Sequence, residues 1–379
     1  MEEHAKAGET QGQSSRVHLG GSARSADGRG LKAGLVGFAG SGKSTVFEWL
    51  SGEKPDPAKV QQGQTAMIDV PDDRLRAITA HYKPKKPEPV FAKLALLDTP
   101  GLLTDERKDN PRRLAILREA GALVVVLDGF SRDDLAEQLR RFREECQLAD
   151  LEIVLNRISR VETQLKKRAR PAKEIEADEA ELALLRRLEQ ALEQGQPASV
   201  VGLNPEEEKT IRSFQLLTLK PEIVLINRGE HNLGEAVPTE LCSLSRIVLQ
   251  APVKLELELR TLPPDEREVF MQELGLQVLQ REAVLRGIFY GAGRQVFFTV
   301  GEDECRSWAI PVGATVVEAA ACIHTDLAEK FVRANVISYA DFLACNFSEK
   351  EAKTRGLMRT EGKTYIVQDG DIVHILASS

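Results

Sequence analysis

Beyond residue 30 the chain is built from short apolar runs separated by longer amphipathic stretches. Leu31 to Gly37, Lys93 to Leu97, Gly121 to Leu127 and Glu222 to Ile226 are dominated by apolar residues and are too short for buried helices. Each therefore reads as a strand covered on both faces. Ser44 to Leu50 reads as a helix following the first strand. Such strands alternating with helices predict an α/β fold around a doubly wound, mostly parallel sheet.

The pattern then changes twice. Leu151, Val154, Ile158, Val161 and Leu165 follow the alternating three- and four-residue spacing of a two-stranded coiled coil. Pro171 interrupts it, and a second apolar stripe runs through Leu182, Leu185, Leu188 and Leu192. This predicts an antiparallel helical hairpin within an insertion over residues 142–215. Residues 157–173 carry seven basic and one acidic side chain, and residues 174–193 carry seven acidic and two basic, so the arms should pair. The basic arm is also a candidate surface for RNA or an acidic partner. From residue 295 the chain turns β-rich: Gln295 to Val300 and Arg306 to Ile310 read as strands and Val316 to Ile323 as a helix. Lys363 to Val367 and Ile372 to Leu376 flank Gln368-Asp369-Gly370-Asp371, whose Asp-Gly pair signals a hairpin. The expected organisation is a main α/β unit over 31–294 carrying the insertion and a small α+β module over 295–379. Residues 1–30 hold few large apolar side chains and are expected to be a disordered tail.

Composition narrows the partners. A net charge of −7 gives no bulk attraction to nucleic acid, so an RNA contact would need a local basic patch, and no DNA partner is expected. No apolar run approaches the roughly 20 residues that span a bilayer, and no membrane association is expected. The five cysteines are scattered without a CxxC pair, which speaks against a disulfide framework or zinc site and for a reducing, cytoplasmic location.

The chemistry is concentrated at Gly37-Phe38-Ala39-Gly40-Ser41-Gly42-Lys43-Ser44, which satisfies GxxxxGK[ST] between a predicted strand and a predicted helix. Glycines let several backbone N–H groups converge on triphosphate oxygens, and the following helix directs its positive end at them. These eight residues and Thr45 form the expected phosphate-binding set. Lys43 should reach the β- and γ-phosphates and Ser44 should ligate Mg²⁺. Asp98-Thr99-Pro100-Gly101 follows a predicted strand, placing Asp98 as a second metal ligand and the Gly101 amide as a γ-phosphate sensor. Lys43, Asp98 and Gly101 are thus the expected catalytic set. Thr65, in a polar loop from Gln61 to Thr65, is a candidate third metal ligand. At the base, Asn227-Arg228-Gly229-Glu230 stands where a guanine-reading NKxD would stand. Asn227 and Glu230 are the candidate base contacts, but the longer glutamate displaces the carboxylate that pairs with guanine. The ligand is therefore ATP or GTP, with guanine selectivity disfavoured.

With these residues in view, the chain resembles the Obg-like ATPases of the YchF type over roughly residues 31 to 379. The resemblance rests on the P-loop, the DxxG segment followed by Leu102, the coiled-coil insertion, Asn227 with Glu230, and C-terminal segments such as Arg306-Ser307-Trp308 and Val367-Gln368-Asp369-Gly370-Asp371. It implies that the last module is a TGS domain with a β-grasp fold. It also implies ATP binding and hydrolysis with relaxed or reversed preference over GTP, Mg²⁺ as cofactor, and association with ribosomes or rRNA through the hairpin and the TGS module. Leu102 occupies the position of a water-orienting glutamine, which implies slow turnover, on the order of 10⁻⁴ to 10⁻² per second. An Obg-type GTPase and a nucleotide sensor with negligible turnover remain the alternatives. Thr104 to Arg113 is charged where the family's second switch is glycine-rich.

Overall fold

The computed structural model describes residues 31–105, 107–131, 134–167 and 170–378. The expectation for residues 1–30 lies outside them. Strands β1 (Lys32–Val36), β2 (Gln64–Asp69), β3 (Lys93–Asp98), β4 (Ala122–Gly129), β5 (Glu222–Arg228) and β6 (Val248–Ala251) form one sheet in the order β2-β3-β1-β4-β5-β6. All neighbours are parallel except β2, which runs antiparallel to β3 at the edge. Side chains of β4 show why the central strands read as continuous apolar runs. Ala122, Val124 and Val126 enter one core, while Leu123, Val125 and Leu127 enter the other. Helices cover both faces, as a parallel sheet requires.

β2 corrects one expectation. Gln64–Asp69 alternates buried and exposed residues, the signature of a half-covered edge strand. Thr65 is therefore a strand residue, exposed and registered opposite Leu97, and does not lie in a polar loop. Polar Gln64, Thr65 and Asp69 diluted the apolar signal.

The hairpin forms from helices Leu135–Leu165 and Ala172–Glu193. The first helix passes residue 142 without a break. Leu139, Phe142 and Cys146 pack it on the sheet, and Val154, Ile158 and Val161 pack it against Leu184, Leu185, Leu188 and Leu192 of the second. The oppositely charged arms do pair: Arg157 meets Glu181 at 2.7 Å and Arg170 meets Asp178 at 2.5 Å, and the arms' minority charges, Arg186 and Glu162, also meet at 2.5 Å. At the base, the fully buried Asp150 accepts from Arg118, from the Leu217 and Thr218 amides and from the Thr218 hydroxyl. Among the described residues no helix is long and apolar enough to cross a membrane.

The last module is a second sheet, ordered β10-β9-β11-β7-β8, from β7 (Arg294–Val300), β8 (Cys305–Pro311), β9 (Phe331–Ile337), β10 (Arg359–Glu361) and β11 (Ile372–Ala377). β7 and β8 form an antiparallel pair, β11 lies parallel to β7, and helix Val316–Ile323 packs over the sheet. Phe297 enters this module's own core, whereas Val296 and Phe298 join the core of the larger sheet.

The expected hairpin at Asp369-Gly370 is corrected here. Lys363 to Val367 is not a strand; it is pinned to the loop before Val316–Ile323, with Val316 N–H donating to Tyr365 O and Val367 N–H to Ala314 O. The turn instead presents Asp369 to Arg74, 2.8 Å away on helix Asp73–Tyr82 of the larger unit. Gly370 has φ +83°, and a side chain there would come within 2.6 Å of Arg74. The glycine thus answers to a tertiary contact as well as to a turn.

Candidate nucleotide-binding site

The loop Gly37 to Gly42 lies between the C-terminal end of β1 and helix Lys43–Ser51, at the edge where ligands of open α/β sheets bind. Ala39 and Gly40 are exposed. Gly42 caps the helix in the left-handed region with φ 86°, and a Cβ there would lie 2.2 Å from Asn227 Nδ2. That contact is structural: Asn227, at the end of β5, donates 3.1 Å to Ser41 O and braces the loop. Among the described residues the backbone N–H groups of Gly40, Gly42, Lys43 and Ser44 meet no acceptor, so the helix start presents open donors.

Lys43 is buried, and its Nζ donates 3.0 Å to Phe38 O. Burial lowers its pKa to about 8; Asp98 opposes the shift and Arg113 adds to it. Asp98, at the end of β3, is fully buried and accepts from the Ser44 hydroxyl at 3.3 Å. Burial pushes its carboxyl above the usual range, against Lys43, the Ser44 hydroxyl and the Thr99 amide. Asp98 Oδ1, Ser41 Oγ and Asn227 Oδ1 are buried without a hydrogen-bond partner among the described residues. Three orphaned oxygens gathered around one loop indicate a site built for a further group.

The structure thus brings Lys43, Ser44, Asp98 and Asn227 together around the loop, with Thr45 half-buried beside them. Gly101 packs on the loop: a Cβ there would lie 2.8 Å from Ala39 Cα and 2.9 Å from Lys43 Nζ. The following residue is zipped to the same loop, Ala39 N–H donating 2.8 Å to Leu102 O and Leu102 N–H 3.0 Å to Gly37 O. The Leu102 side chain is buried in the sheet core. Among the described residues Thr65 shares no hydrogen bond with Ser44 or Asp98 and is registered opposite Leu97. Glu230 is exposed in a short 3₁₀ turn. Arg228, at the lysine position of NKxD, is buried and bonds Gln250, Glu235 and Ala236 O, which keeps it on the far side of β5.

Two residues near the loop escaped the sequence reading. Phe130 follows β4; its ring would lie 3.7 Å from a side chain at Gly42 and its Cβ 3.0 Å from one at Gly229. Its only signal was an aromatic after an apolar run. Arg113 donates 2.6 Å to Gly101 O, and in sequence was one charge among many.

Comparison with known proteins agrees with this geometry. A family model described as 50S ribosome-binding GTPase matches residues 32–157, and YchF-GTPase_C, described as a protein of unknown function (DUF933), matches residues 295–378. The chain is 32% identical over 366 residues to the "Ribosome-binding ATPase YchF" of Haemophilus influenzae, covering 91% of this chain and 98% of the relative. It is 30% identical over 369 residues to the Bacillus subtilis protein of the same name, covering 91% and 98%. The solved structure of the Schizosaccharomyces pombe YchF GTPase superposes with a TM-score of 0.73 at 25% identity, covering 91% of this chain and 97% of that one. A P-loop sheet with this strand order, a coiled-coil hairpin and a matching C-terminal module, aligned end to end with such relatives, places the chain in the YchF family of P-loop NTPases.

Proposed function

We propose that the chain binds ATP in preference to GTP at Gly37 to Thr45 and hydrolyses it slowly, as a switch that associates with ribosomes. The observation that carries the reading is the cluster of buried Lys43, buried Asp98 and the exposed Ser44 hydroxyl bonded to it, at the mouth of a loop of open amides. The loop amides and the Lys43 ammonium hold the β- and γ-phosphates, and the Gly101 amide senses the last of them. The donor set fits Mg²⁺. Asp98 keeps one oxygen unpartnered beside a hydroxyl. Among the described residues no cluster of three or more His, Cys, Asp or Glu could hold a metal alone. The ion that suits is one that completes its shell with phosphate and water oxygens. Ser44 and Asp98 would hold it, and bound there it would neutralise charge on the transferring phosphoryl group. Thr65 would join that set only if β2 gave way near its start.

Base preference follows from the far side of the pocket. Phe130 offers a ring for stacking, Asn227 braces the loop, and Glu230 replaces the shorter carboxylate that chelates guanine. Slow turnover follows from Leu102, whose buried aliphatic side chain neither accepts from nor donates to water. Association with ribosomes rests on the names of the relatives and on the exposed Lys166, Lys167 and Lys173 at the hairpin tip.

Single-turnover hydrolysis by the intact chain and by Lys43→Ala, with parallel ATP and GTP titrations, tests the reading. The expected result is a parent rate on the order of 10⁻⁴ to 10⁻² per second, a variant at background, and tighter ATP binding. Equal rates would remove the hydrolase, and tighter GTP binding would reverse the base assignment. Failure to pellet with ribosomes in any nucleotide state would remove the partner.

A further inference from the structure

We propose that Arg113 is a further catalytic residue, an arginine supplied by the chain itself to the γ-phosphate. The proposal rests on the hydrolase reading above and deepens it. Leu102 leaves the attacking end of the site without a polar side chain. Arg113 stands at the same end, one residue away along the chain of contacts. Its Nη1 donates 2.6 Å to Gly101 O, and Gly101 itself lies against Ala39 and the Lys43 ammonium. The guanidinium and the ammonium thus flank the glycine whose amide meets the last phosphate.

Three observations support a substrate role over a structural one. First, Arg107 and Arg118 are committed to the buried carboxylates of Glu145 and Asp150, and the adjacent Arg112 is exposed to solvent, whereas Arg113 is half-buried. Arg113 has no ion pair among the described residues and donates instead to the neutral Gly101 carbonyl. Second, its position is fixed in advance. It sits in the helix Asn110–Leu117, whose fully buried Asn110 accepts from Leu103 N–H at 2.9 Å and donates to Leu103 O and to Glu145. The helix is therefore locked to the segment that follows Gly101, and the arginine travels with it. Third, two cations converge on a site that holds one carboxylate, Asp98. A half-buried guanidinium beside a buried ammonium is unfavourable until an anion arrives, and a terminal phosphate is the anion that a P-loop brings.

In the reaction, the oxygen of a water molecule bonds to the γ-phosphorus as the bond from phosphorus to the β–γ bridging oxygen breaks. The electron pair stays on ADP, the water oxygen leaves in inorganic phosphate, and one proton is released. Negative charge grows on the bridging and γ-oxygens, where two guanidinium N–H groups bind more tightly than in the ground state.

The test uses the full chain as parent, Arg113→Ala and Arg113→Lys, with single-turnover hydrolysis and binding of MgADP with and without aluminium fluoride. Expected are MgADP affinities within about threefold of parent and a rate loss of about 10² or more in Arg113→Ala. Arg113→Lys should recover less than about a tenth of the rate, because an ammonium cannot reproduce the fork. The tightening by aluminium fluoride should vanish in Arg113→Ala. Hydrolysis within threefold of parent, or tightening that survives, overturns the proposal. Loss of MgADP binding by both variants also overturns it, by assigning Arg113 to the phosphates in general. A parent no faster than Lys43→Ala would sink the hydrolase reading itself, whereas an active parent matched by Arg113→Ala sinks only the arginine.

Discussion

Replacing Asp150 by alanine should destabilise the base of the hairpin more than any surface change in the chain. The carboxylate is fully buried and accepts at 2.8 Å from Arg118, at 3.0 Å from Leu217 N–H, and at 2.8 Å from both Thr218 N–H and the Thr218 hydroxyl. Its loss leaves two amides and a largely buried guanidinium without their partner, which costs about 3–5 kcal/mol. Lys220 makes the effect depend on pH. Burial, with Arg118 adding to it, lowers this lysine from 10.5 to about 8, and Asp150 opposes the shift. Because the folded pKa is depressed, the unfolded chain binds more protons between about 8 and 10.5, so parent stability rises with pH across that window. Without Asp150 the folded pKa falls further and the window opens at lower pH. The penalty should therefore shrink on going from neutral to alkaline pH, by at most about 1.4 kcal/mol, because pH 7 lies only about one unit below the parent folded pKa of about 8. Urea unfolding, with hydrogen exchange on the two hairpin helices, measures it at about pH 7 and about pH 9.5. A penalty below about 1 kcal/mol at neutral pH, or one that grows at alkaline pH, would refute the reasoning.

Two further substitutions probe the packing. Leu185→Ala empties a fully buried position between the hairpin helices and should cost about 2–5 kcal/mol; hydrogen exchange should place the loss in the hairpin, with ATP affinity unchanged within about twofold. Arg74→Ala and Asp369→Ala together form a double-mutant cycle across the two units, joined by a 2.8 Å pair that is only partly shielded. A coupling of about 1 kcal/mol is expected from denaturation midpoints, and additivity within about 0.3 kcal/mol would dismiss the latch.

The sheet and the loop were legible in sequence because their requirements are local. A strand buried on both faces has to be apolar throughout, as Ala122 to Leu127 is, and a phosphate loop has to place glycines where amides converge. The coiled coil was legible for the same reason: Val154, Ile158 and Val161 face Leu185, Leu188 and Leu192 at the spacing that a helix seam imposes. β2 was not, since an edge strand needs only alternate apolar residues and Gln64–Asp69 supplies just Ala66 and Ile68 as buried ones with Gln64. Gln368 to Asp371 was misjudged because turn chemistry states that the chain reverses and says nothing of what it reverses against. Asp369-Gly370 turns toward Arg74, 295 residues earlier in the chain, while β11 pairs with β9 and β7.

The site itself divides along the same line. Lys43, Ser44 and Asp98 announce themselves because their motifs fix spacing to the phosphate within a few residues. Arg113 does not, since its relation to Gly101 passes through a helix start held by Asn110, a residue whose two bonds to Leu103 leave no mark on hydrophobic pattern. In the stretch from Thr104 to Arg113 the sequence offers a run of charges, and nothing in that run distinguishes the arginine that turns inward from those that meet carboxylates. What separates them is the packing of one helix on another. Arg107 finds Glu145 and Arg118 finds Asp150, both on the first hairpin helix, while Arg113 lies on the side that faces the loop and finds only a carbonyl. A half-buried cation held by a carbonyl beside the phosphate loop, while Arg112 next to it points to solvent, is visible only after the fold has placed both, and that is why charge composition, however closely read, could not have named it.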